Sequence, residues 1–183
     1  QFNTGDHILA VFKDGTCYTT SFDISNRYQG DLIRLEKLDP GKTFSALYYD
    51  GASKCFYIKR FSFEVSDNTP ISFISEAKGS YLIALNEDKH PQFEITFGGK
   101  HEHREAEKVD AEEFIAKKSI NAKGKRVSAY EVKSVAFIEP LHKPEDEIEP
   151  KEVENQAGEI DNSDIPDSTY QDGDENDGQL TLF

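Results

Sequence analysis

Three short clusters of cations are the first residues here that could do chemistry: Lys59-Arg60, Lys117-Lys118 and Lys123-Gly124-Lys125-Arg126. Lysine and arginine gathered in or beside strands can neutralise phosphates and release counterions, which gives sequence-independent, salt-sensitive binding. Gly124 in the turn would let the backbone approach those phosphates, and Arg27 is a further cation of the same kind. The competing reading of each cluster is the solvated face of a strand. In the run His101-Glu102-His103-Arg104-Glu105, a strand would put two imidazoles on one face. No third ligand is evident, so the run is read as charged surface and no metal is assigned. No Gly-rich phosphate loop with Lys and Ser or Thr, no Cys-x-x-Cys and no Ser, His and acid arrangement is present, and no catalytic residue is assigned.

The elements that must position these cations repeat along the chain. Residues 8–12 and 16–22 are runs rich in β-branched and aromatic residues separated by Lys13-Asp14-Gly15. Residues 44–49 and 55–61 flank Asp50-Gly51 in the same way, and residues 81–85 and 92–97 flank Asn86-Glu87-Asp88. Gly15, Gly51 and Glu87 are spaced 36 residues apart. Each unit reads as a β-hairpin, because Asp-Gly supplies both a residue tolerant of positive φ and a side chain that bonds its own backbone. Repeated hairpins at this period predict an all-β fold of stacked or radial blades. A fourth, less regular unit is expected from Val109 to Ile138: a short helix or strand over 109–118, a basic turn over 121–126, and one or two strands over 127–138.

The charge balance divides the chain in two. Of 183 residues, 21 are Lys or Arg and 35 are Asp or Glu, a net charge of −14. Residues 1–143 hold 20 basic and 21 acidic residues, whereas residues 144–183 hold one basic and 14 acidic. The first part is long enough to bury a core. The second, highly charged and poor in aromatics, is expected to be a disordered acidic tail. No apolar run approaches the roughly 20 residues of a membrane span, so no membrane partner is expected. Cys17 and Cys55 fall in apolar stretches and read as reduced core residues, which fits a cytoplasmic protein. The chain contains no Met, which reads as a domain excised from a longer protein.

With these features in place, the sequence resembles the C-terminal domain of the DNA-cleaving subunit, the GyrA/ParC type, of bacterial type IIA topoisomerases. The residues that carry the resemblance are Asp6 to Gly15, Tyr48-Tyr-Asp-Gly51 leading into Phe56-Tyr-Ile-Lys-Arg-Phe61, and Ala122 to Lys133. The likeness is especially to topoisomerase IV of the Bacteroidetes type and covers about residues 1 to 140. The resemblance implies a β-pinwheel, a propeller-like disc whose blades exchange strands, here with about four hairpin-based blades. It implies double-stranded DNA on the rim, held by Lys123, Lys125 and Arg126, then Lys59 and Arg60, with Lys117, Lys118 and Arg27. The gyrase box Gln-Arg-Arg-Gly-Gly-Lys-Gly is reduced here to Asn26-Arg-Tyr-Gln-Gly-Asp31, which favours bending with relaxation and decatenation over wrapping. The transesterifying Tyr, the ATP and Mg²⁺ chemistry and the contact to the B subunit would all lie elsewhere in the parent enzyme, so this region needs no cofactor. A protein-recruiting propeller-like module, with incidental basic clusters, is the competing reading.

The last residues, Gly178-Gln-Leu-Thr-Leu-Phe183, resemble the Gln-Leu-x-Leu-Phe peptide by which bacterial replication and repair proteins dock on the sliding clamp. Gln179 offers a donor and an acceptor to a polar subsite, while Leu180, Leu182 and Phe183 could fill an apolar cleft. Fold-back of this peptide onto the disc as an added strand is the alternative.

Overall fold

The computed structural model describes residue 3 and residues 5–143. The first hairpin joins β1 (His7–Phe12) to β2 (Thr16–Ser21), and β3 (Leu32–Lys37) returns antiparallel to β1. A second hairpin joins β4 (Phe44–Asp50) to β5 (Cys55–Phe61), followed by β6 (Ile71–Ser72) and β7 (Tyr81–Asn86). Next come β8 (Gln92–Phe97), β9 (Glu107–Asp110), the one-turn helix α1 (Ala111–Phe114), β10 (Lys125–Arg126) and β11 (Val132–Ile138).

The expected turns form as their residues dictate. Gly15 sits at φ +82°, and the Asp14 carboxylate accepts from the backbone N–H and hydroxyl of Thr16 at 2.9 and 2.6 Å. Asp50 plays the same part in the second hairpin, accepting from the Ala52 N–H at 3.2 Å and the Ser53 hydroxyl at 2.7 Å. Its carboxyl is buried but held down to about 2, first by the Ser53 and Ser75 hydroxyls.

Three antiparallel sheets result, in the orders β3-β1-β2-β6, β10-β5-β4-β7 and β11-β8-β9. Each is built on a hairpin with a later strand added beside its first member: β3 on β1, β7 on β4, β11 on β8. The first two sheets also receive a two-residue strand from the following stretch of chain: β6 lies on β2, and β10 on β5. The chain therefore weaves between neighbouring sheets.

Two expectations are corrected. The third expected hairpin does not form: β7 pairs with β4 while β8 pairs with β9 and β11, so residues 87–91 are a crossover between sheets. Locally the two cases look alike, an apolar run on each side of a polar link. Only the partner's side chains separate them, Tyr81 opposite Tyr49 and Leu82 opposite Tyr48. The expected fourth unit is likewise not a separate blade. Its residues supply the end of β9, α1, β10 and β11 to the second and third sheets, so the described residues form three sheets where the spacing predicts about four blades.

The middle sheet is buried on both faces, which explains why β4 and β5 are nearly continuous apolar runs rather than alternating ones. One core cluster contains Leu9, Val11, Cys17, Phe44, Ala46, Tyr48, Phe61, Phe63 and Phe73, between the first and second sheets. The other contains Leu47, Ile58, Phe93, Ile95, Phe97 and Val135, between the second and third. Cys17 and Cys55 are free thiols, and burial pushes that of Cys17 up to about 12.

Candidate nucleic-acid interface

The stretch from Ile115 to Val127 runs antiparallel alongside β5 and brings most of the expected cations to one edge of the second sheet. The Lys118 N–H donates to the Arg60 carbonyl at 2.8 Å, Lys125 and Arg126 pair with Ile58 and Tyr57, and the Val127 N–H donates to the Phe56 carbonyl at 3.0 Å. Lys117, Lys118, Lys123, Lys125 and Arg126 are all exposed along this edge. The seven residues of β5 set its length at roughly 20 Å.

The side chains are tethered at their bases and open at their tips. Lys125 Nζ donates to the Phe114 carbonyl at 3.0 Å and lies 3.9 Å from the centre of the Phe114 ring. Lys123 lies 4.9 Å over the Tyr57 ring and 3.7 Å from Asp50 Oδ2, with its side chain 65% exposed. Arg126 donates to the Ala129 carbonyl at 3.3 Å. Gly124 has a different part from the one its turn suggests: a Cβ there would stand 2.6 Å from the Ile58 carbonyl oxygen, so its bareness lets the loop close onto β5. The Gly124 N–H is also within reach of the Tyr48 hydroxyl at 3.3 Å.

The other expected residues are placed elsewhere. Lys59 points inward, 5% exposed, and its ammonium donates to the Phe73 carbonyl at 2.8 Å and the Ile120 carbonyl at 2.6 Å. Arg60 pairs with Glu112 at 2.8 Å, in a group where His90 and Lys143 also reach Glu112. Partial burial opposes ionisation of Glu112, yet the bonds from His90, Lys143 and Arg60 hold its carboxyl down to about 2. Arg27 donates to the Ser25 and Asn26 carbonyls in the loop after β2, on the first sheet. His101 lies in a one-turn 3-10 segment rather than a strand and packs on Tyr130, so the two imidazoles are not aligned. Gln179, Leu180, Leu182 and Phe183 lie outside the described residues, as does the whole stretch 144–183.

Two cations that the clusters did not reveal are Lys54, in the β4–β5 turn, and Lys133 in β11. With Arg126 they border a groove of about 780 Å³ at the turn end of the second sheet. They stand singly in sequence, so only the folding of the chain brings them together.

Burial of Lys59 carries a pH signature. Desolvation pushes its ammonium down to about 8 from 10.5, so between these values the unfolded chain keeps a proton that the folded chain has released. Stability contributed by this site therefore rises with pH across that window, by about 3 kcal/mol in all. Below pH 8 the group is charged in both states and the full burial cost remains. Urea unfolding at several pH values should show a shallower rise between pH 8 and 10.5 for Lys59→Met than for the unsubstituted chain. Equal slopes would mean the ammonium is not buried as described.

The strongest physical contrast is between equivalent connections. Residues 62–80, which place β6 on the first sheet, contain one Lys and three acidic residues, whereas residues 115–131, which place β10 on the second, contain five basic residues and one Glu. The backbone role is the same and the charge is opposite. The requirements of the fold do not demand the basic edge.

Comparison with known proteins gives a family match over most of the chain. The family model for the topoisomerase C-terminal domain of Bacteroidota matches residues 1–139. No curated protein matches the chain. Among solved structures, a crystal structure of the C-terminal domain of DNA topoisomerase IV is similar at 12% identity and a TM-score of 0.46, over 76% of this chain. The chain spans about half of that domain, 48% of its length.

Proposed function

Because the chain belongs to the topoisomerase C-terminal domain family of Bacteroidota, we propose that residues 1–143 bind and bend double-stranded DNA for a type IIA topoisomerase of the topoisomerase IV kind. The observation that carries this reading is the basic edge along β5, set against the acidic character of the equivalent connection on the first sheet. Cations spaced along a rigid strand edge can follow a phosphate backbone without reading bases. The contact set is Lys117, Lys118, Lys123, Lys125 and Arg126, with Lys54 added. Lys59 and Arg60 position this edge from beneath, through the Ile120 carbonyl and Glu112.

In this reading the sheets are blades of a pinwheel, and the domain supplies geometry to a catalytic core elsewhere in the parent protein. That core, with its B subunit, ATP and Mg²⁺, carries out relaxation and decatenation in the cytoplasm, and the captured segment biases which duplex is passed. Titration of labelled duplex with the intact chain at several salt concentrations tests it. The expected result is affinity that falls steeply with salt and does not depend on sequence; binding indifferent to salt would sink the proposal.

The carboxyl-terminal peptide, Gln179 to Phe183, is proposed to dock on the sliding clamp through Gln179, Leu180, Leu182 and Phe183. A fluorescent peptide of residues 172–183 should bind purified clamp. Replacing both Leu182 and Phe183 by Ala should weaken that binding at least tenfold, since apolar anchors dominate such contacts. Equal binding by both peptides would remove the proposal.

A further inference from the structure

The groove of about 780 Å³ bordered by Lys54, Arg126 and Lys133 is not explained by duplex binding along the β10 edge. Its walls come from the second sheet and from the connection leading into β11. Tyrosines line it. Tyr81 stacks on Tyr49 across β7 and β4, with ring centres 5.3 Å apart and planes 23° from parallel. Tyr49 covers one side of the Tyr81 ring, yet Tyr81 remains 50% exposed at the end of the row. Tyr130 is 42% exposed and is backed by the Arg104 guanidinium, 4.1 Å from its ring centre.

Exposing large aromatic rings costs free energy unless something covers them, and here they adjoin three cations rather than an apolar surface. A purely apolar ligand would desolvate those cations without compensation. A duplex keeps its bases stacked on one another and presents no ring face to Tyr81. An unpaired nucleotide satisfies both features at once: its base continues the Tyr49–Tyr81 stack while its phosphates meet Lys54, Arg126 and Lys133. The volume lies within the range of small-ligand sites and has room for a nucleotide or two.

We propose that this groove binds single-stranded nucleic acid, with one unpaired base stacked on Tyr81. The inference stands apart from the duplex reading, since Lys125 is tethered on the Phe114 side and does not line the groove. In its test, labelled oligothymidylate and labelled duplex are titrated separately against the full chain by fluorescence anisotropy. Tyr81→Ala is expected to weaken oligothymidylate binding about tenfold and to leave duplex binding unchanged, while Tyr81→Phe retains both. Lys133→Ala, at a side chain 62% exposed and so harmless to folding, should weaken the strand several-fold and lower its salt dependence by about one counterion. Absence of oligothymidylate binding, unchanged binding by both Tyr81→Ala and Lys133→Ala, or an equal loss on duplex and single strand would each overturn the proposal.

Discussion

Replacing Lys123, Lys125 and Arg126 together by alanine is expected to lower affinity for duplex DNA by roughly one to two orders of magnitude at low salt. It should also reduce the slope of log affinity against log salt by about 2 to 3, the number of phosphate contacts removed. All three residues are exposed on one edge of the second sheet, beside Lys117 and Lys118, so their phosphates would be successive positions along one backbone. Folding should barely change. The bonds lost are from Lys125 to the Phe114 carbonyl, from Arg126 to the Ala129 carbonyl at 3.3 Å, and the distant pairing of Lys123 with Asp50 at 3.7 Å. Exposed substitutions of this kind stay within about 1 kcal/mol. A variant that melts with the unsubstituted chain but binds duplex with unchanged affinity and salt slope would place the DNA site elsewhere. Loss of affinity without loss of slope would point to a changed loop shape rather than to missing phosphate contacts.

How far the sequence could reveal this edge depends on the kind of signal each residue carries. Lys123, Lys125 and Arg126 are adjacent in the chain and stay adjacent in space, because a two-residue strand and a tight turn hold them against β5. Lys59 and Arg60 look equally basic in sequence. Alternation along β5 cannot say which strand face is solvated when the sheet is covered on both sides, and Lys59 is directed into the junction between sheets. Lys54 and Lys133 meet at the groove only after the strands assemble.

The same limit applies to the fold. The first two hairpins were legible because Asp14-Gly15 and Asp50-Gly51 encode their turns within a few residues. Exchange of β6 and β10 was not, since two-residue strands have no periodicity to read. Pairing of β7 with β4 depends on an aromatic row of Phe56, Tyr49 and Tyr81 whose members lie far apart in sequence.

The exchange must nevertheless be held by something, and Phe63→Ala identifies what. Phe63 lies in the link between β5 and β6, outside any strand, yet it is fully buried. It meets the rings of Phe44, Phe61 and Phe73 edge-on at 4.8, 5.0 and 5.6 Å. Phe73 follows β6 directly, and its carbonyl takes the Lys59 ammonium, so the aromatic cluster and that bond pin the same crossover from two sides. Truncation leaves a cavity among rigid rings that cannot collapse into it, and the expected cost is about 3–5 kcal/mol, a large part of the roughly 5–15 kcal/mol that a domain has. Urea unfolding should show the midpoint falling with little change in slope. The double variant with Phe73→Ala should lose less than the sum of the two single losses, because each removes contacts the other shares. A cost below about 1 kcal/mol would mean that strand exchange is held by the backbone pairing of β6 with β2 alone. That pairing spans only Thr16 with Ser72 and Cys17 with Ile71, too short a ladder to fix a crossover without the buried rings beside it.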